Sequence, residues 1–151
     1  MPDSAAPPEP EGGPFLSREP VDPAALLSSV RRDSDGGIAL FVGVVRASHE
    51  GRAVTALEYH AYEPMAEREI GRLVAGISAR HPQVRIRIRH RLGRLAVGEV
   101  AVVVAAAAPH RDEAFAACRE GIEEVKARAP IWKLELGPAG DSWVDGLAAS
   151  P

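Results

Sequence analysis

Apolar and polar positions change period several times along the chain, and each change marks an element. Leu26, Leu27 and Val30 fall at helical spacing in residues 22–32, with Asp22 placed as N-cap and Pro23 at the first helical position. Residues 33–37 read as a turn. Residues 38–45, nearly all apolar, predict a central strand covered on both faces, with Gly43 hinting at a bulge or a close backbone approach. Residues 47–53 read as a mobile polar loop, and 54–62 as a second strand of β-branched and aromatic residues.

Pro64 opens a predicted helix to about Arg80, where Ile70, Leu73, Val74 and Ile77 make one apolar stripe before His81-Pro82 ends it. Residues 84–90 alternate, so Val84, Ile86 and Ile88 face a core and Arg85, Arg87 and Arg89 face outward as a solvated row. Residues 92–99 form a turn, and 100–107 another buried strand. Asp112 is the expected N-cap of a helix to about Arg128, with Phe115, Cys118, Ile122, Val125 and Ala129 on its apolar face. Pro130 stops it. Residues 131–136 form a strand, 137–141 a turn and 142–144 a last extended segment. Strands interleaved in mixed order with two substantial helices predict an α+β domain with a mixed sheet.

Composition narrows the function classes. A chain of 151 residues suffices for one domain with a real core. A net charge of −3 and a pI near 6.0 argue against nucleic-acid binding. No apolar run reaches membrane-spanning length, and residues 1–14, rich in Pro, Gly, Ala and acid, read as a disordered tail with no secretory signal. A cytoplasmic location is the expectation. One cysteine, Cys118, makes no intrachain disulfide, and the five histidines show no zinc-motif spacing, so no metal or cofactor is expected. On its apolar helix face Cys118 reads as a packed, inert thiol.

The candidate chemistry is basic and lies at element ends. Arg46 closes the first buried strand and suits a bidentate anion clamp. His110 and Arg111 sit at a helix N-terminus, a natural seat for phosphate or carboxylate. Lys126 falls in that helix's last turn, where dipole complementation is the simpler account, and Lys133 lies beyond the proline. The lysines are seven residues apart, and Pro130 means they converge only if the strand folds back beside the helix end. A neighbouring cation or burial would then lower an amine's pKa and make it a base or nucleophile.

These residues carry a family resemblance. The run from Gly37 through Phe41 and Gly43 to Val45-Arg46 resembles a strand of the large, catalytic subunits of molybdopterin synthase, the MoaE family. His90-Arg91-Leu92-Gly93 through Gly98-Glu99 is similar to that family's central turn. Pro109-His110-Arg111 followed by Ala114-Phe115 is similar to its helix start. Lys126-Ala127-Arg128-Ala129-Pro130-Ile131-Trp132-Lys133 resembles its lysine signature, and Gly140-Asp141-Ser142-Trp143-Val144 completes the order. The likeness spans about residues 20–146, within a domain placed at 15–146 and followed by a short tail at 147–151.

The resemblance implies an α/β hammerhead fold and a homodimer of large subunits within a heterotetramer. It implies a small ubiquitin-like sulfur carrier ending in Gly-Gly thiocarboxylate, and cyclic pyranopterin monophosphate as substrate. Two sulfur transfers would build the dithiolene of molybdopterin. Lys126 and Lys133 would be the catalytic pair, with Lys133 at the carrier's terminal glycine and Lys126 on the pterin side. Arg46, His110 and Arg111 would hold phosphate and pterin, and Val44, Val45, Leu134 and Glu135 would line the same walls. An inert Cys118 fits sulfur brought by a separate carrier chain. Two departures stand out: Leu134 occupies a position often basic in the family, and residues 145–151 hold no base where relatives carry an arginine that reaches a neighbouring subunit. The competing readings are a pterin- or carrier-binding module of the same fold without chemistry, and a purely structural dimeric domain.

Overall fold

The computed structural model describes residues 15–144. The tails expected at 1–14 and 147–151 lie outside the described residues. Two four-stranded sheets and three helices make up the body. The first sheet has the order β1 (Leu16–Ser17), β6 (Arg85–Arg91), β8 (Val100–Ala108), β2 (Gly37–Val44). It is mixed, because β1 runs parallel to β6 while the other pairs are antiparallel. The second has the order β10 (Ser142–Val144), β9 (Ile131–Leu136), β5 (Ala56–Ala61), β7 (Gly93–Ala96). The expected α+β class with a mixed sheet holds.

Strand β8 shows why the first sheet needs so apolar a centre. Val103, Ala105 and Ala107 face α1 (Pro23–Val30), where they pack with Leu26 and Val30. Val104, Ala106 and Ala108 face the other way, into the main core with Ile70, Leu73 and Ile77 of α2 (Glu63–Arg80) and with Val125 of α3 (Arg111–Arg128). Both faces are covered, so apolar residues occupy successive positions instead of alternate ones. Alanines keep the strand thin and let helices approach. At Gly121 of α3 a Cβ would stand 2.8 Å from Val104 Cγ1, so only glycine permits the observed approach. A third cluster, Val45, Val54, Leu57, Leu95 and Ala101, joins the end of β2 to the second sheet.

Several boundaries differ from the sequence expectations, each for a local reason. Asp22 caps α1 as expected, its carboxylate accepting from the Ala24 N–H at 3.0 Å. The N-cap of α3 is His110 and not Asp112, and its side chain makes no capping bond. Asp112 and Glu113 sit instead in the first turn, where their charge complements the helix dipole. The expected loop at 47–53 is a hairpin of β3 (Ser48–His49) and β4 (Arg52–Ala53), turned by Glu50 and Gly51 at φ 49° and 79°. Two successive positive-φ residues match the hairpin's twist. The expected turn at 92–99 contains β7.

Two face assignments also change. Phe115 lies 65% exposed, so it is not part of the apolar face that buries Cys118. Arg87 and Arg89 are not an open solvated row. They share a wall with Val21, Asp22, Leu26 and Ser29, because α1 covers that side of β6. The register of β2 on β8 shifts between Gly43 and Val44, which is the bulge that Gly43 suggested.

Candidate active site

The strand β9 reverses direction after α3 and brings the two lysines together. Ala129 ends the helix by donating its N–H to the Val125 carbonyl, and Ile131 N–H returns to the Ala129 carbonyl at 2.7 Å. The Pro130 carbonyl accepts from Tyr62 N–H at 3.2 Å, which seats the reversal against the second sheet. β9 then pairs with β5, with Lys133 opposite Tyr59. Lys126 and Lys133 thereby line two adjoining cavities and share them with Tyr59 and Val102.

The outer cavity, about 330 Å³, adds Arg46, Val44, His49 and Glu135. The smaller one, about 170 Å³ and called the inner cavity, is walled by Ile122, Val125, Ile131, Trp132 and Val144, with His90 among them. The strand bulge at Gly43 turns Val44, 51% exposed, toward the outer cavity and carries Arg46 to its rim. Glu135 is buried and holds His49, whose Nδ1 lies 3.0 and 3.2 Å from the two carboxylate oxygens. The β3–β4 hairpin thus folds onto the site through one charged contact.

The electrostatics follow from this crowding. Burial lowers the Lys133 pKa, the Lys126 ammonium lowers it further, Glu135 opposes, and Arg46 adds a smaller push downward. Burial, with help from Glu135, pushes the Tyr59 hydroxyl up to about 12, so it stays a proton donor. Cys118 is buried, with Sγ 3.6 Å from the Val104 carbonyl, and burial pushes its thiol pKa up. It is no thiolate nucleophile. Among the described residues no group of three His, Cys, Asp or Glu side chains is arranged for a metal, and no helix is long and apolar enough to cross a membrane.

Of the nine residues singled out from sequence, five meet here: Lys126, Lys133, Arg46, Val44 and Glu135. Val45 is only 2% exposed and packs in the cluster with Leu57 and Leu95, behind the cavity wall and not part of its lining. Leu134 lies between Lys133 and Glu135, so alternation turns it to the opposite sheet face, beside Trp143. Trp132, with its ring 4.9 Å from Tyr62 and 6.3 Å from His60, also lines the inner cavity. His110 and Arg111 stand at the far end of α3, whose 18 residues span about 27 Å. Within one chain they do not reach the lysines. His49, Tyr59 and His90 were not singled out. The alternation Ile86, Ile88, His90 marked the last of them as core-facing, the one signal available for it.

Comparison with known proteins identifies the family. The family model described as MoaE protein matches residues 16–128. The molybdopterin synthase catalytic subunit 1 of Mycobacterium tuberculosis is 41% identical over 129 residues, covering 85% of this chain and 88% of that one. The molybdopterin synthase catalytic subunit of a Nostoc species is 48% identical over 113 residues, covering 74% and 68%. A crystal structure of molybdopterin synthase from Staphylococcus aureus superposes with a TM-score of 0.82 at 32% identity, over 86% of this chain and 95% of that one. A family match across most of the described residues, with relatives of this identity and coverage, assigns the chain: it belongs to the MoaE protein family.

Proposed function

We propose that this chain is the catalytic subunit of a molybdopterin synthase, moving sulfur from a thiocarboxylated carrier to cyclic pyranopterin monophosphate. The observation that carries the reading is Lys133, half-buried in a wall shared with Lys126 and Arg46, with its pKa drawn down. A lowered pKa increases the neutral amine, which accepts protons or attacks an acyl carbon. Lys126 and Arg46 supply fixed positive charge for a thiocarboxylate and a phosphate. The inert Cys118 means that sulfur comes from elsewhere, and a carrier thiocarboxylate meets that need. That carrier is a small ubiquitin-like chain whose Gly-Gly tail enters the cavity, and the setting is cytoplasmic.

The phosphate seat calls for a second copy. β2 is the edge of its sheet and carries Leu40, Phe41 and Val44 exposed at 38%, 37% and 51%, beside the exposed Phe115. Such an edge invites pairing. Two β2 strands joined about a two-fold axis run antiparallel, setting the Gly37 end of one against the Val44 end of the other. Arg111 rests on Gly37, its Cα 3.5 Å from where a Cβ would stand. His110 and Arg111 of one copy then approach the Arg46 side of its partner's cavity. This homodimer, with a carrier on each large subunit, is the heterotetramer.

Reconstitution tests the reading. The purified chain, a thiocarboxylated carrier and the pterin precursor should yield dithiolene product, and Lys133→Ala should reduce turnover by at least about 100-fold. No product with the unaltered chain, or full turnover in Lys133→Ala, would reject the assignment.

A further inference from the structure

His90 belongs to the inner cavity yet no role above uses it. The side chain is only 6% exposed, and the ring packs edge-on against Tyr59 with centroids 4.8 Å apart. Its Nδ1 lies 2.7 Å from the Arg91 carbonyl oxygen. A carbonyl only accepts, so Nδ1 carries the hydrogen, and in the neutral ring Nε2 is left as an acceptor. Among the described residues Nε2 has no hydrogen-bond partner, and it is not among the polar side-chain atoms sealed from solvent. His90 lines the inner cavity, the open space beside the ring in which a donor could meet Nε2.

The ring is held neutral. Burial lowers its pKa to about 4, the Arg91 carbonyl bond opposes, and Lys126 and Lys133 add to the lowering. With its hydrogen on Nδ1, the ring presents at Nε2 an uncharged atom that can only accept. Lys126 and Arg46 are donors, the protonated Tyr59 hydroxyl both donates and accepts, and Glu135 is engaged by His49. The cavity therefore fits a ligand that presents an anion to the lysines and an N–H to His90. A C-terminal glycine thiocarboxylate has both, with one methylene between the N–H and the anionic carbon. Size favours the same occupant. About 170 Å³ lies below the usual range for small-molecule sites, whereas the outer cavity of about 330 Å³ falls within it. A glycine tail needs no room for side chains.

We infer that His90 is a further binding residue of this site, its Nε2 accepting the N–H of the carrier's last peptide bond. The inference rests on the proposed carrier reaction and names the group that reads the tail. It separates the two cavities, the inner for the tail and the outer for the phosphorylated pterin.

The test is a two-by-two measurement of carrier affinity by titration calorimetry. One axis compares the unaltered chain with His90→Leu. The other compares a semisynthetic carrier with a normal last peptide bond and one whose last amide is an ester, which lacks only the N–H. Each single change should weaken Kd by about 3- to 10-fold, and the two together by no more than either alone. His90→Gln, which restores an acceptor near the Nε2 position, should recover affinity for the amide carrier and guards against misfolding of the leucine variant. An ester penalty equal in the unaltered chain and in both variants overturns the role of His90 alone. Unchanged carrier affinity in His90→Leu, with pterin binding weakened, also overturns it and gives the acceptor to the pterin. No binding of either carrier to the unaltered chain overturns the carrier reading itself.

Discussion

Lys133 and Glu135 stand two residues apart on one face of β9, both lining the outer cavity, and Glu135 pulls the Lys133 pKa up against burial, Lys126 and Arg46. The opposition sets how much neutral amine is present at a given pH. If turnover needs that neutral amine, its acid limb follows the Lys133 pKa.

Glu135→Gln removes the one upward influence, so the Lys133 pKa falls and the acid limb of the rate profile moves to lower pH. Lys126→Met removes a downward influence, so the limb moves to higher pH. The measurement is kcat against pH in reconstituted turnover. Shifts in the same direction for both variants would reject Lys133 as the titrating group. His49 loses its partner in Glu135→Gln, so the hairpin at 48–53 is also expected to become more accessible to protease.

Gly121→Ala tests the packing beneath the site. The added Cβ would meet Val104 Cγ1 at 2.8 Å and Ile86 Cδ1 at 3.1 Å, and Val104 is fully buried with no room to yield. A cost of about 1–3 kcal/mol is expected, lowering Tm by roughly 2–4 °C per kcal/mol in a chain of this size. Calorimetric melting reads it. An unchanged Tm would mean that α3 shifts freely on the sheet.

Elements built on a strong period were legible in the sequence, because burial imposes the period directly. The stripe Ile70, Leu73, Ile77 and the doubly covered β8 are such cases. The lysine pair was legible only as a condition, since Pro130 forbids helical stacking and the register of β9 on β5 decides the rest. Tyr59 enters the site by that register alone, which no local pattern carries. Arg87 and Arg89 alternate as surface residues do, yet α1 covers them, and a tertiary contact has no signature in a seven-residue strand. His110 and Arg111 were legible as an anion seat but not as a distant one, because helix length separates them from the lysines.

Cys118→Ala should leave sulfur transfer intact. The thiol is buried against the Val104 carbonyl with a raised pKa, so it neither carries sulfur nor reacts with a carrier. A stability loss of about 1 kcal/mol is expected from the lost packing. Loss of turnover in a folded Cys118→Ala protein would mean that sulfur passes through this chain.

Mixed dimers decide whether His110 and Arg111 act across a subunit boundary. Lys133→Ala and Arg111→Ala are each expected to be nearly inactive. Unfolded together and refolded as a random mixture, half the dimers pair one variant with the other. In each such dimer one site receives an intact Lys133 from one copy and an intact Arg111 from its partner, and the second site receives neither. Activity should therefore recover to about a quarter of the unaltered protein. If both residues served the same chain's cavity, every site would lack one of them and mixing would restore nothing. Leu40→Lys supplies the control: Leu40 is exposed on the β2 edge and lines neither cavity, so a charge there should shift sedimentation toward monomer and abolish the recovery, while the monomer stays folded.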